Sequence, residues 1–384
     1  MRGKLWSPLT WIAAHSTTKP GSDGLNTTGT KKRLESVRVL VQEMTMTIVD
    51  ATRRHEACVS LFGVAAFASL LAKKRDKDQE IAEIIGLLHN FYFYKTGIKV
   101  FPGPNSAEAV RPLLREMNIF TKEELTTILR AIFHREDRGK VHGPYEEILK
   151  DAYILHSHFH NLGTNFPEHN TDRLRKIFAE LAIPVDLSKE TTLVSNGAKN
   201  TEYIDKRNNF ADIAEALGRE NIIGVPGDER YREICKYWPD QGIYKVLQSS
   251  WCAAFVYHCC MEVGFRLPFR HPNGTYRFAG VGAWLEWAQL PETGFLKIDG
   301  QNGFSPQRGD IVIYEKLLSD DSHDHIGVVL GCDDKEIFVA EGNRDNQNYS
   351  AVLWRDRRKC ILGYIRIDND FEFNFDGMYS PKLQ

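Results

Sequence analysis

A preponderance of one sign of charge is missing from this chain. Its 384 residues carry 49 Lys and Arg against 51 Asp and Glu, a formal net charge of −2. That balance excludes a strongly basic nucleic-acid binder and gives no global pull toward an anionic membrane, so neither partner is expected. Long apolar runs are scarce too: none reads as long enough to cross a bilayer, so no membrane span is expected. Cysteine is sparse and odd in number, seven in all, with Cys259 and Cys260 adjacent. Such scatter does not read as a disulfide framework, and it points to a reducing compartment, the cytoplasm, with secretion or release by another route as the alternative. What remains, 42% apolar and 26% charged residues, is the composition of a globular chain long enough for two domains.

At the N-terminus, Arg2 and Lys4 precede a short apolar run, residues 5–14, broken by Pro8 and Thr10. A secretory signal needs an uninterrupted apolar stretch, so residues 1–32 read as an unstructured extension. Residues 33–185 read as an all-α domain. Apolar residues recur at three- and four-residue spacing over 34–53, 57–74, 79–91, 106–117, 122–133 and 145–159. Turn punctuation falls between them, at Phe101-Pro102-Gly103-Pro104-Asn105 and His142-Gly143-Pro144. The polar stretch 186–209 reads as a linker. Beyond it, short helices are expected at 211–219 and 229–237, another from Cys252, and one over 281–287. Strands are expected at 310–314, 325–330, 336–341, 351–354 and 360–367. Helices followed by strands give an α+β domain over 210–368. Residues 369–384 form an acidic, aromatic tail without an assigned role.

The chemistry gathers in the second domain. Ser249-Ser250-Trp251-Cys252-Ala253-Ala254-Phe255-Val256 reads as a helix start, with Ser249 or Ser250 as the cap. Cys252 then lies in the first turn, where the helix dipole favours a thiolate. His325 opens a strand, and the turn Gly331-Cys332-Asp333-Asp334-Lys335 folds the next strand back. Glu341–Asn343 then lies opposite His325, within about one residue of register. Glu341 and Asn343, two apart, share a face. A thiol, an imidazole and an orienting acceptor are what thiol attack on an amide requires: Cys252 as nucleophile, His325 as base, Glu341 or Asn343 fixing the ring tautomer. Backbone N–H groups at the helix start would stabilise the oxyanion. Trp251 reads as core, Cys259 and Cys260 as buried and inert, and His323 as a loop residue.

These residues resemble the CHAP family, the cysteine- and histidine-dependent amidohydrolases/peptidases related to NlpC-type and papain-like enzymes. The likeness runs through Trp-Cys-Ala-Ala-Phe-Val at Cys252, Arg308-Gly309-Asp310-Ile311-Val312, His325-Ile326-Gly327-Val328-Val329 and Glu341-Gly342-Asn343, over roughly residues 210–367. The resemblance implies a papain-like α+β fold, no cofactor at the site, and a peptidoglycan-type peptide or another amide as substrate. It gives Cys252 as nucleophile, His325 as base, and Glu341 with Asn343 as the orienting pair.

In the helical half, His55, the doublet His89-Asn90, His134 and Asp151 follow the order of the HD superfamily of metal-dependent phosphohydrolases, which residues 34–166 resemble. There a histidine, a His-Asp doublet and a later aspartate hold a divalent metal. Here the doublet is His89-Asn90, and a neutral amide is a weaker ligand than a carboxylate. The expectation is a degenerate HD-like domain for regulation or ligand binding, with His55, His89, Asn90 and Asp151 as a doubtful metal set. The leading reading is a thiol amidase or endopeptidase. A metal-dependent HD phosphohydrolase with an accessory CHAP-like domain, and a non-catalytic binding protein, stand as rivals.

Overall fold

A computed structural model describes residues 27–160, 168–184, 205–320 and 322–383. The apolar run at 5–14 and most of the expected linker lie outside the described residues. The N-terminal half is helical: α1 (Thr27–Met46), α2 (Ala51–Lys74), α3 (Gln79–Leu88), α4 (Phe91–Thr96), α5 (Pro102–Met117), α6 (Lys122–Phe133), α7 (Pro144–His160) and α8 (Glu168–Glu180).

Local chemistry sets these boundaries and corrects several expected ones. The helix read over 34–53 is two helices, because Asp50 caps α2 by accepting from the Arg53 amide at 2.6 Å. Asp78 does the same for α3 through the Ile81 amide at 3.1 Å. That helix stops at Leu88 rather than 91, and α4 follows until Gly97 takes a left-handed φ of 83°. The turn expected at 101–105 is instead the first turn of α5, where Pro102 and Pro104 lack only amides that a helix start leaves unbonded anyway. Thr121 and Glu124 close a reciprocal capping box on α6.

One expectation about apolar length is overturned. Helix α2 is long and apolar enough to cross a membrane by length and composition. Its buried stripe, Ala57, Leu61, Val64, Ala65, Ala68, Leu71 and Ala72, packs against α3 and α7.

The second half opens at α9 (Lys206–Arg219), capped by Asp205 through the Asn208 amide at 3.2 Å, so residues 205–209 of the expected linker are helical or capping. Next come α10 (Glu229–Cys235), α11 (Ile243–Val246), α12 (Cys252–Val263) and α13 (Val281–Ala288). Six strands follow: β1 (Leu296–Lys297), β2 (Ile311–Tyr314), β3 (His325–Cys332), β4 (Glu336–Glu341), β5 (Ala351–Asp356) and β6 (Ile361–Ile365). They form one antiparallel sheet in the order β1-β6-β2-β3-β4-β5. Only β1 lacks a counterpart in the sequence reading, because two residues carry no alternation to read. Strand alternation divides the apolar residues between two faces. Ile311, Ile313, Ile326, Val328 and Ala340 join the main core with α12, while Val312, Tyr314, Val329, Ile337 and Val339 form a smaller cluster.

The main core runs through both halves. The Tyr92 hydroxyl donates to the Tyr237 carbonyl at 2.8 Å, and the Tyr92 ring stacks on Phe269 at 5.3 Å. The Phe269 amide donates to Asn105 at 3.1 Å, and Arg270 pairs with Glu108 at 3.0 Å. The tail returns across this seam. Tyr379, buried, stacks parallel on Phe133 at 3.9 Å and donates to Glu108 at 2.6 Å, while Arg111 donates to the Lys382 carbonyl at 2.6 Å.

Candidate active site

Helix α12 begins at Cys252, but not by the cap expected. Trp251 occupies the cap position and no side chain accepts from the first turn. The first intrahelical bond is Phe255 N–H to Trp251 O at 2.9 Å, which leaves the amides of Cys252, Ala253 and Ala254 without an intrahelical acceptor. The indole of Trp251 is buried and donates to Asn348 at 3.0 Å, so it anchors the helix start. Gly342 lies against this anchor. A Cβ there would come within 2.5 Å of Phe255 Cβ and 2.8 Å of Trp251, so only glycine lets the end of β4 approach α12.

His325 is the first residue of β3 and is fully buried. It pairs with Tyr314 across β2, and the two rings stack at 5.8 Å. Its Nε2 faces Oε2 of Glu341 at 3.1 Å. Its Nδ1 makes no hydrogen bond of ordinary geometry, yet the Cys252 thiol is close enough to act on the ring both as charge and as hydrogen-bond partner. Burial would depress the imidazole pKa; Glu341 and Cys252 outweigh it and raise it to about 10.

Glu341 ends β4, wholly buried. Arg355 on β5 donates Nε to one carboxylate oxygen at 2.9 Å and Nη2 to the other at 2.5 Å, and reaches Asp345 at 2.8 Å. Burial would raise the Glu341 pKa; His325 and Arg355 overcome it and lower it to about 2. A buried carboxylate without partners would be strongly disfavoured, so His325 and the Arg355 fork together keep Glu341 ionised. Gly327 makes room for the pair. A Cβ at that position would meet Glu341 Cγ at 2.9 Å.

Asn343 does not reach His325 by any hydrogen bond. Its amide donates to the Ser249 carbonyl and to Asn346, both at 3.0 Å, and its oxygen accepts from the Asn348 amide at 3.0 Å. With Asn343, Asp345, Asn346 and Asn348 all at positive φ, this segment is a tight clasp between β4 and the approach to α12. Asn343 therefore ties the loop before Cys252, while Glu341 contacts the imidazole.

Sequence reasoning did not find Arg355, Tyr314 or Gly327. Arg355 was hidden in the run Arg355-Asp356-Arg357-Arg358-Lys359, which reads as a solvated turn. The usable signal was Glu341 itself, since a carboxylate expected beside a buried histidine needs a cation on the neighbouring strand. His323 is half-buried and packs beside Gly282. Cys259 and Cys260 are fully buried, and burial pushes both thiols up.

The metal set expected in the helical half is not brought together. His55 is exposed on α2. His89 caps α3, fully buried, with Nδ1 on the Gly86 carbonyl at 2.7 Å; the neighbouring Asn90 Oδ1 has no partner. Asp151 is bound by Arg75 at 2.6 Å and by Arg173, and a carboxylate held by two guanidiniums is a poor cation ligand. Among the described residues a different group, His134, Asp137 and His142, has ligand atoms within 4.8 Å of one another. Its imidazoles stack at 4.1 Å and 19°, and His142 Nε2 pairs with Asp137 Oδ2 at 2.9 Å.

A thiol at a helix start, a buried imidazole and a carboxylate on the next strand define a cysteine/histidine-dependent hydrolase class of site. Residues 244–343 match the family model of the CHAP domain. The match includes Cys252, His325, Glu341 and Asn343 and stops short of Arg355. No curated protein and no solved structure matches the chain.

Proposed function

We propose that the protein is a thiol-dependent amidase or endopeptidase acting on a peptidoglycan-type peptide or a related amide. The observation that carries this reading is the buried relay Cys252–His325–Glu341–Arg355, in which one imidazole nitrogen is fixed and the other is left for the sulfur. Cys252 attacks the amide carbonyl carbon as thiolate, forming the C–S bond while the carbonyl electrons move to oxygen. The unbonded amides at the start of α12 face the developing oxyanion. His325, which holds a proton at neutral pH, gives it to the leaving amine as the C–N bond breaks. Water, deprotonated by the now neutral ring, then hydrolyses the thioester and restores the sulfur. Glu341 keeps the ring oriented and stabilises its charge. Asn343 holds the loop that leads into Cys252.

The test is turnover of purified muropeptides and of intact peptidoglycan by the full chain, with Cys252→Ala beside it. The expected result is release of new amino groups by the wild type and none by the variant. Undiminished release by Cys252→Ala would end the proposal.

A further inference from the structure

A second polar site lies in the helical half, away from the thiol. A cavity of about 310 Å³ opens between the segment after α6, α7 and α8, lined by Arg135, Arg138, Lys150, Arg173, Tyr153 and Asn170 among others. Among the described residues four cations line it and no acidic side chain does. Three of the four have partners nearby: Lys150 donates to Glu147 at 2.8 Å, Arg173 to Glu147 and Asp151, and Arg138 to Asn170 at 3.2 Å.

Arg135 is different. Its side chain is only 7% exposed, and its one carboxylate partner, Glu136 at 3.1 Å, is itself 47% exposed. Its Nε and Nη1 are buried and make no hydrogen bond. The guanidinium lies over the Tyr153 ring at 5.3 Å. The same ring meets His89 edge-on at 5.9 Å, and burial together with Arg135 pushes that imidazole toward the neutral form, so it adds no second positive charge to repel Arg135. Two buried guanidinium donors without acceptors carry a large desolvation cost, which an anion with several oxygens would offset.

We infer that this cavity binds a phosphate group, with Arg135 as the principal donor. The fork of an arginine matches phosphate oxygens in pairs, where a point cation would not. The volume stands at the lower end of small-molecule pockets, which fits a small phosphate ester or free phosphate rather than a polymer. The Tyr153 ring and Ile154 form an apolar wall for the carbon part of an ester.

Calorimetric titration of the full chain decides this, with inorganic phosphate, ribose 5-phosphate and, at matched ionic strength, sodium chloride. Saturable binding of either phosphate with none of chloride is the expected result. Tighter binding of ribose 5-phosphate assigns an ester, and equal binding assigns free phosphate; both support the site. Arg135→Met is expected to weaken binding by about tenfold or more. Should that variant fail to fold by circular dichroism, Arg135→Lys serves in its place. Absence of binding to the wild type at about 10 mM, or undiminished affinity in folded variants, would overturn the inference.

Discussion

Arg355 and His325 hold the Glu341 carboxylate between them, the guanidinium at 2.9 and 2.5 Å and the imidazole at 3.1 Å. The charge that orients the ring is thus itself oriented from the far side. Arg355→Met should strand a buried carboxylate, at a cost of about 3–5 kcal/mol. Urea unfolding measures that cost, and Arg355→Lys should recover only part of it, since an ammonium cannot replace a two-toothed fork. A change within about 0.5 kcal/mol for the methionine variant would show that Glu341 does not depend on Arg355.

Glu341→Gln keeps the shape of the relay and removes its charge. Its kcat is expected to fall by up to about 10⁴-fold, the scale on which an orienting carboxylate matters in such sites. Asn343→Ala should act differently, because its partners are Ser249, Asn346 and Asn348. It should lower stability by about 1–3 kcal/mol through unpaired buried groups. Steady-state kinetics beside thermal unfolding separates the two; similar kcat losses would merge their roles.

Gly327→Ala places a methyl group 2.9 Å from Glu341 Cγ. The carboxylate must swing or the strands must part, and overpacking of this kind costs about 1–3 kcal/mol. The local consequence should appear in the NMR titration of His325, with its pKa falling back from about 10 toward 6.5 as Glu341 moves away. An unchanged titration would mean that the sheet yields instead.

The pH dependence of stability follows from the same pair. For His325, raised to about 10, the stabilisation is complete below its ordinary 6.5 and is lost as pH climbs through about 10. For Glu341, lowered to about 2, it is present above the ordinary 4.5 and is lost as pH falls through about 2. The margin of wild type over His325→Gln should therefore be widest between pH 4.5 and 6.5 and shrink steadily toward pH 10. Calorimetric melting across that range checks it, and a margin that grows with alkalinity would contradict the ion pair.

Helical spacing and strand alternation carried most of the architecture in the sequence, because both record which side chains face a core. The positions of Cys252, His325 and Glu341 at the ends of α12, β3 and β4 were legible for the same reason, while their catalytic roles belong to the proposal. The boundaries at Asp50 and Pro102 were not legible, because a capping aspartate inside an apolar pattern looks like a surface residue and a proline-rich start looks like a turn. Arg355 was lost in a charged run. The metal set in the helical half misled because order along the chain says nothing about which partner an aspartate takes. Asp151 took Arg75 and Arg173.

The Tyr92–Phe269 stack, the Arg270–Glu108 pair and the returning Tyr379 make the seam between the halves part of the interior rather than a hinge. Anyone wishing to excise the sulfur-bearing half as a stand-alone reagent would expose a raw aromatic surface and should expect an insoluble fragment. Intact use of the whole chain is the practical form in which this protein can be handled.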